Sequence, residues 1–458
     1  MSNQKPLGDA SFDNVQGDIL KDGLPKLTES FLIFQILDNR VKDFCQKLPK
    51  VANEISGTSQ VAQARQNIRN SKGTIVSHAQ ANIAFSFNGL QKMATVLKSI
   101  DLNTNDSAFE AGMKKTAASL NDPLGPNSSD PAYEPAFLAP EKIHGIILAA
   151  GDSIDSCHGK LDTIKGLFGG AIHETMPRID GKVRPGNMKG HEHFGYLDGV
   201  SQPAIDGVDQ APPGQDTISP GVILCGRPGD DAGHPAWMTD GSFLCFRKLE
   251  QKVPEWNKFL VDASNQLGTW SKQLGARLIG RWESGCPVEL QSEFDDVNIA
   301  NDPNQINKFE FDPNNNFRCP LGAHIRKTNP RGDLGRNIVN RFRILRRGIP
   351  YGNEVDVDPT GSRGLLFVCY QSNLNTGFNF IQRQWANNAG FIGNGAGLDA
   401  IVGQDNNNKT VDMAGLFPQD ASRTFAFSGI NRFVIPRGGE YFFTPSITAL
   451  KGTLATTK

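Results

Sequence analysis

Apolar runs recur along this chain in two rounds, each followed by a stretch with helical spacing. Ser30-Phe31-Leu32-Ile33-Phe34-Gln35-Ile36-Leu37 has too few polar positions for a half-exposed strand, and predicts one buried on both faces. Val41 to Leu48 then follows helical spacing and is expected to stop at Pro49. Asn82 to Phe87 predicts a second strand, closed by Asn88-Gly89. Leu90, Met93, Ala94 and Leu97 make the next helical stripe. Lys142 to Ala150 predicts a third strand, with a helix from Ser153 to Phe168 after it. The pattern restarts at Ser242 to Leu249, again with a helix behind it, over Val253 to Gln266. Gly364 to Tyr370 echoes the second strand, and Asn373-Leu374 leads into another helical stripe. Asn431 to Phe443, with Gly438-Gly439 inside, predicts a hairpin.

Short strands interleaved with helices, in two similar rounds, predict an α+β fold. It consists of two tandem modules, each an antiparallel sheet with helices on one face. The division falls at 1–207, which includes a glycine-rich linker, and 208–458. The second module carries a long insertion, 268–362, between its first helix and its second strand. Ordered insertions of that length in a compact module are more often functional than decorative.

Composition narrows the classes. A chain of 458 residues with 38% hydrophobic content can bury real cores. A net charge of −1 argues against nucleic acid as a partner. The seven cysteines are scattered and form no CxxC, so a zinc ribbon is unsupported, while disulfides remain possible. No apolar run approaches a membrane span, and Met1 to Pro6 lacks the apolar core of a signal peptide. Asn105, Asn127 and Asn408 begin glycosylation triplets, which often arise by chance.

Three stretches carry candidate chemistry. In Cys319-Pro320-Leu321-Gly322-Ala323-His324-Ile325-Arg326-Lys327-Thr328-Asn329-Pro330-Arg331, an apolar lead delivers a single histidine and cations follow. By itself such a histidine is more often structural than a ligand. In Gly190 to Pro203, Gly195 and Gly199 bracket Asp198, either to aim its carboxylate or to form a simple Asx-turn. His191 and His193 there resemble zinc ligands but lack a third partner. In Arg341 to Gly352, alternation predicts a strand. Arg341 and Arg343 would lie on one face, and Arg346 with Phe342 and Ile344 on the other, more apolar one. An arginine on an apolar face needs an anion or a polar ligand. No P-loop or GxSxG elbow occurs, and the glycines of 390–399 lack GxGxxG spacing.

Gly195-Tyr196-Leu197-Asp198-Gly199 with Ser201-Gln202-Pro203, the Ala323-His324-Ile325-Arg326-Lys327 loop and Ile344 to Gly352 occur in this order. With Gln16-Gly17-Asp18-Ile19 near the start, the set resembles the dye-decolourising peroxidases, above all their fungal members. The resemblance implies two ferredoxin-like modules and one haem b per chain, held in the second module. It makes His324 the iron ligand and gives it a supporting carboxylate, Asp399 or alternatively Asp405. Arg326 and Arg331 would meet the haem propionates, and Leu365 and Phe367 would line the pocket. Asp198 becomes the acid–base group and Arg346 the stabiliser of charge as the peroxide O–O bond breaks. The implied substrates are hydrogen peroxide and bulky dyes, phenols or other aromatic donors, with no membrane or nucleic acid involved. Tyr351 and Trp385 match positions where fungal relatives carry an oxidisable surface aromatic. Fungal relatives also suggest a secreted protein. A haem carrier or iron-handling protein would use the same pocket, but it would need neither Asp198 nor Arg346.

Overall fold

Strands β1 (Thr28–Ile36) and β3 (Gly145–Gly151) are buried along almost their whole length, as their unbroken apolar runs require. They belong to a computed structural model that describes residues 12–71, 77–98, 100–126, 129–393, 395–405, 411–417, 419–420, 422–427 and 433–456. The first half adds β2 (Ala79–Phe85), β4 (Ile172–Glu174) and β5 (Ile179–Lys182). A small parallel pair follows in the linker, β6 (Ala204–Ile205) with β7 (Thr217–Ile218). The second half consists of β8 (Ser242–Gln251), β9 (Leu345–Arg346), β10 (Ile349–Tyr351), β11 (Gly364–Gln371) and β14 (Val434–Thr444). A separate hairpin pairs β12 (Val411–Ala414) with β13 (Thr424–Phe427).

The two halves join into one antiparallel sheet of order β10-β11-β8-β14-β2-β3-β1-β4, with β5 also on β1 and β9 also on β11. The seam between them is narrow, a single register pair of Phe443 with Phe85. The sheet then curves until its ends approach. A Cβ on Gly181 of β5 would lie 2.3 Å from Ile349 Cγ2 and 3.1 Å from the Pro350 carbonyl of β10. Phe31 of β1 and Phe246 of β8, on non-adjacent strands, meet at 5.0 Å between ring centroids. The fold is thus α+β and barrel-like. Two outer helices of the first half, Val41–Val51 and Ile154–Phe168, lock through Phe44 stacked on Phe168 at 4.6 Å. In the second half, helix Val253–Leu267 buries Trp256 between Phe194 and Phe433, at 5.0 and 5.2 Å.

The expected strands and helices form within a few residues of their sequence bounds, with three corrections. Helix Val41–Val51 runs through Pro49. Proline there removes only one hydrogen bond of the last turn, and the buried stripe Val41, Phe44, Cys45, Leu48 and Val51 carries the helix past it. The hairpin expected over 431–443 is instead one long strand, with a bulge between Pro436 and Gly438 where the ladder to β8 shifts register. Residues 431 and 432 lie outside the described residues. Finally, Arg341 to Arg346 is not an alternating strand. Short helical turns, Arg336–Val339 and Asn340–Phe342, occupy its start, and only Leu345 and Arg346 pair with β11.

All seven cysteines are buried free thiols. Asn105 is exposed, while Asn127 and Asn408 lie outside the described residues. Among the described residues no helix is long and apolar enough to cross a membrane.

The closure of the sheet gives a test. Gly181→Val should push β5 away from β10 and cost about 1–3 kcal/mol of stability, the usual penalty of overpacking. Denaturant unfolding monitored by tryptophan fluorescence measures it, and a wild-type midpoint would refute the close approach.

Candidate active site

Helix His324–Thr328 begins directly after the apolar lead, so the first residue presented is the histidine. Its ring lines a cavity of about 260 Å³. Nδ1 lies 2.9 Å from Oδ2 of Asp399, so Asp399, and not Asp405, is its carboxylate partner. Asp399 is fully buried. Its second oxygen accepts from the amides of Ile401 and Val402 at 2.8 and 2.9 Å, which fixes its orientation. Burial works against both charges, yet mutual attraction outweighs it, raising the imidazole and lowering the carboxyl from their ordinary values. With Nδ1–H donating to Asp399, the Nε2 lone pair is left for the cavity.

Asp198 reaches the same cavity from a turn built by its neighbours. Gly195 and Gly199 adopt φ of 101° and 75°, which side chains resist. Inside the turn the Glu192 carboxylate accepts from the amides of Phe194 and Tyr196, at 2.8 and 2.9 Å. Glu192 therefore organises the loop. His193 is buried against the Tyr351 carbonyl at 2.9 Å, and burial pushes its ring down to about 4. His191 Nδ1 lies 3.2 Å from the Lys189 carbonyl, and among the described residues neither His191 nor His193 belongs to a cluster of metal-ligating side chains.

The Asp198 Oδ1 atom accepts from Arg346 Nη1 at 2.6 Å and from the Gly199 amide at 2.6 Å. Burial alone would raise this carboxyl. The Arg346 charge, its hydrogen bond, the Gly199 amide and the His324 charge together hold it below the usual carboxylate range. Arg346 is set by strand β9 and by a clamp absent from the sequence reading. Gln202 accepts from the Arg346 amide at 3.2 Å and donates to its carbonyl at 2.9 Å. The Ser201-Gln202-Pro203 motif was the available signal for this clamp.

The walls are mainly apolar. Leu365 and Phe367 line the cavity from one face of β11, joined by Leu249, Ile279, Ile344 and Phe378. The cationic end differs from the expectation. Arg331 does line the cavity, with Nη1 on the carbonyls of Gly214, Asn307 and Phe309 at 3.1, 3.0 and 3.2 Å. Arg326 does not. It is fully buried and paired bidentately with Asp333 at 2.8 and 2.7 Å. Its remaining N–H groups go to the carbonyls of Asn315, Cys319 and Asp312. Residues two apart on a helix point to opposite sides, so once His324 faces the cavity Arg326 faces away.

Arg343, which the sequence reading set on the other face from Arg346, lines the cavity instead. The helical turns before β9 break the alternation on which that reading rested. Burial pushes the guanidinium of Arg343 down to about 10, and burial with the nearby Arg343 and Arg336 does the same to Arg331.

Tyr351 and Trp385 are not surface aromatics. Their residual exposures are 7% and 3%. Tyr351 is held in β10, its hydroxyl 3.3 Å from Ser362 Oγ. Trp385 stacks on Phe391 at 5.4 Å and meets Phe342 and Phe380 edge-on. Phe342, which covers Trp385 from 43 residues upstream, could not be read from the local sequence.

Comparison with known proteins gives the family and the fold. Residues 14–185 match the model for the DyP dimeric alpha+beta barrel domain, and residues 195–393 match that for the Dyp-type peroxidase, C-terminal. The chain is 40% identical to dye-decolorizing peroxidase msp1 of Mycetinis scorodonius, over 96% of this chain and 87% of that one. An ancestral D-type dye decolorizing peroxidase superposes with a TM-score of 0.88, at 44% identity over 99% and 100% of the two chains. A dye-decolorizing peroxidase in complex with 2,6-dimethoxyphenol gives a TM-score of 0.84, at 38% identity over 97% and 99%. The chain belongs to the DyP-type peroxidase family and is a peroxidase of dyes and other aromatic compounds.

Proposed function

We propose that hydrogen peroxide is cleaved in this cavity, with Asp198 as the proton carrier, Arg346 as its charge partner and His324 as the ligand of one haem b. The observation that carries the reading is that two couples open on one cavity, His324–Asp399 and Asp198–Arg346. The division into modules 1–207 and 208–458 would place the haem in the second. His324, Arg331, Arg343, Arg346, Leu365 and Phe367 come from that half, and Asp198 comes from the linker.

The residues fit such a group. His324 offers Nε2 with its other nitrogen already engaged, the walls are mainly apolar, Arg331 rests on backbone carbonyls, and Arg343 shares one carboxylate, Asp216, with Arg336. Those two arginines would meet the propionates, since paired, charge-assisted contacts favour buried guanidinium groups. A bound haem supplies iron that accepts the oxidising equivalents of the peroxide and passes them on singly to donors.

The chain's own residues do the rest. Asp198 Oδ1 is occupied by Arg346 and Gly199, which leaves Oδ2 to take the peroxide proton and return it to the departing oxygen. Arg346 keeps that carboxylate ionised and faces the charge that develops as the O–O bond parts. A carrier would gain nothing from a half-buried Asp–Arg pair held by a dedicated Gln202 clamp. Location outside the cell is proposed on the resemblance to fungal relatives.

Asp198→Asn should lower kcat/KM for peroxide by roughly 10²–10⁴-fold, the usual contribution of a general acid–base group, and leave the Soret band in place. Stopped-flow mixing with peroxide measures it, and wild-type turnover in that variant would remove Asp198 from the role.

A pH profile gives a second test. Arg346 is among the groups that lower the Asp198 carboxyl, so the wild type should keep its base ionised into the acid range. In Arg346→Leu the residual rate should fall off at a higher pH on its acid limb. An acid limb that stays put would mean that Asp198 is not the titrating base.

A further inference from the structure

A second cluster of ligand-type side chains lies outside the cavity. Cys225, Asp230 and His234 come from one loop and converge, with their ligand atoms all within 4.8 Å of one another. The side chains of His234 and Asp230 are only 1% and 2% exposed, and Cys225 is fully buried.

The histidine is in an unusual position. Its Nδ1 lies 2.6 Å from the Thr104 carbonyl and its Nε2 lies 2.8 Å from the Ser372 carbonyl. A neutral imidazole has one N–H, so it can donate to only one of them. The other contact then sets a nitrogen lone pair against an oxygen lone pair. Both atoms become donors to a common centre if a cation lies between them.

Two more donors face that place. Asp230 Oδ1 is 3.6 Å from His234 Nε2, and Cys225 Sγ is 3.5 Å from the Ser372 carbonyl oxygen. Bonds of roughly 2.0–2.3 Å to a tetrahedral zinc imply ligand–ligand edges of roughly 3.3–3.8 Å. Two of the three distances fall in that range, and the 2.8 Å edge needs only a small opening.

The surroundings also suit a metal. Nδ1–H would donate to the Thr104 carbonyl, as the outer nitrogen of a metal-bound histidine commonly does. Asp230 is oriented by the amides of Gly226 and Ala232, at 2.7 and 3.2 Å. Asp106 adds a second carboxylate close by, near both His234 and Cys225. Burial, with Asp230 and Asp106, pushes the Cys225 thiol well above its ordinary range, a cost that zinc binding would have to offset.

We propose that Cys225, Asp230, His234 and the Ser372 carbonyl form a closed structural site for one zinc ion per chain. Binding replaces the Cys225 S–H proton, which leaves to solvent. The ion would tie the end of β11, whose Leu365 and Phe367 line the active cavity, to the 225–234 loop. Through Thr104 it would also tie it to the first half. Zinc has no redox chemistry of its own, which suits a thiolate ligand in an enzyme that handles peroxide.

The test uses the haem-loaded enzyme purified without chelators. Elemental analysis should find about one zinc per chain beside the iron, and zinc-edge absorption should report one sulfur at about 2.3 Å with three lighter neighbours. Cys225→Ser and His234→Ala should lose the zinc and keep the Soret band. If either variant fails to fold, wild-type enzyme stripped with chelator and titrated with zinc chloride decides the matter. Saturable one-to-one binding, with a higher melting temperature, supports the site. No zinc at purification and no binding on titration would overturn it. Zinc binding that survives Cys225→Ser would overturn it as well.

Discussion

The hydrogen bond between Asp399 and His324 is the constraint on which the active cavity depends. A buried carboxylate is costly unless its oxygens are engaged. Here one oxygen takes two backbone amides and the other takes the imidazole. That arrangement selects the tautomer and aims Nε2 before any ligand is present. The loop behind it is braced in the same manner. Arg326 gathers three carbonyls and Asp333, and Lys327 holds the carbonyls of Asn388 and Phe391, both in the loop that follows the helical segment Ile381–Ala386. The cations following His324 thus act mainly on the loop, and Arg331 alone among them reaches the cavity.

What was legible in the sequence follows from how local each signal is. The buried strands announce themselves, because a run such as Ser30 to Leu37 has few other stable placements. His324, Asp198 and Arg346 stand in short motifs whose order carries the resemblance. Arg326 and Arg343 were misplaced for one reason. A side chain's direction depends on whether its backbone is helix or strand, and at 324–328 and 340–342 the short helical turns escaped the periodicity. The exposure of Trp385 depends on Phe342, Phe380 and Phe391, and nothing in its own neighbourhood reveals Phe342. Gln202 went unread because its partner is the backbone of a residue 144 positions away.

Charge around the cavity shows why the pocket suits an anionic, largely apolar guest. Arg346 has Asp198, and Arg247 has Asp122. The remaining lining arginines are poorly matched. Arg281 relies on the carbonyls of Gly285 and Ile306 and the Asn307 side chain, and Arg331 on carbonyls. Arg343 shares Asp216 with Arg336 and lies 3.5 Å from it. Burial and like-charged neighbours push Arg281 down to about 9 and Arg331 to about 10. A fold selected for stability alone would not gather such cations beside Leu249, Ile279 and Leu365. A guest with an apolar body and carboxylates at one edge satisfies both demands at once. Arg346, on the same wall, would serve the proposed chemistry, because its charge favours the ionised form of Asp198. In the proposed mechanism Arg331 and Arg343 would hold the cofactor while Arg346, beside them, would keep the base ready.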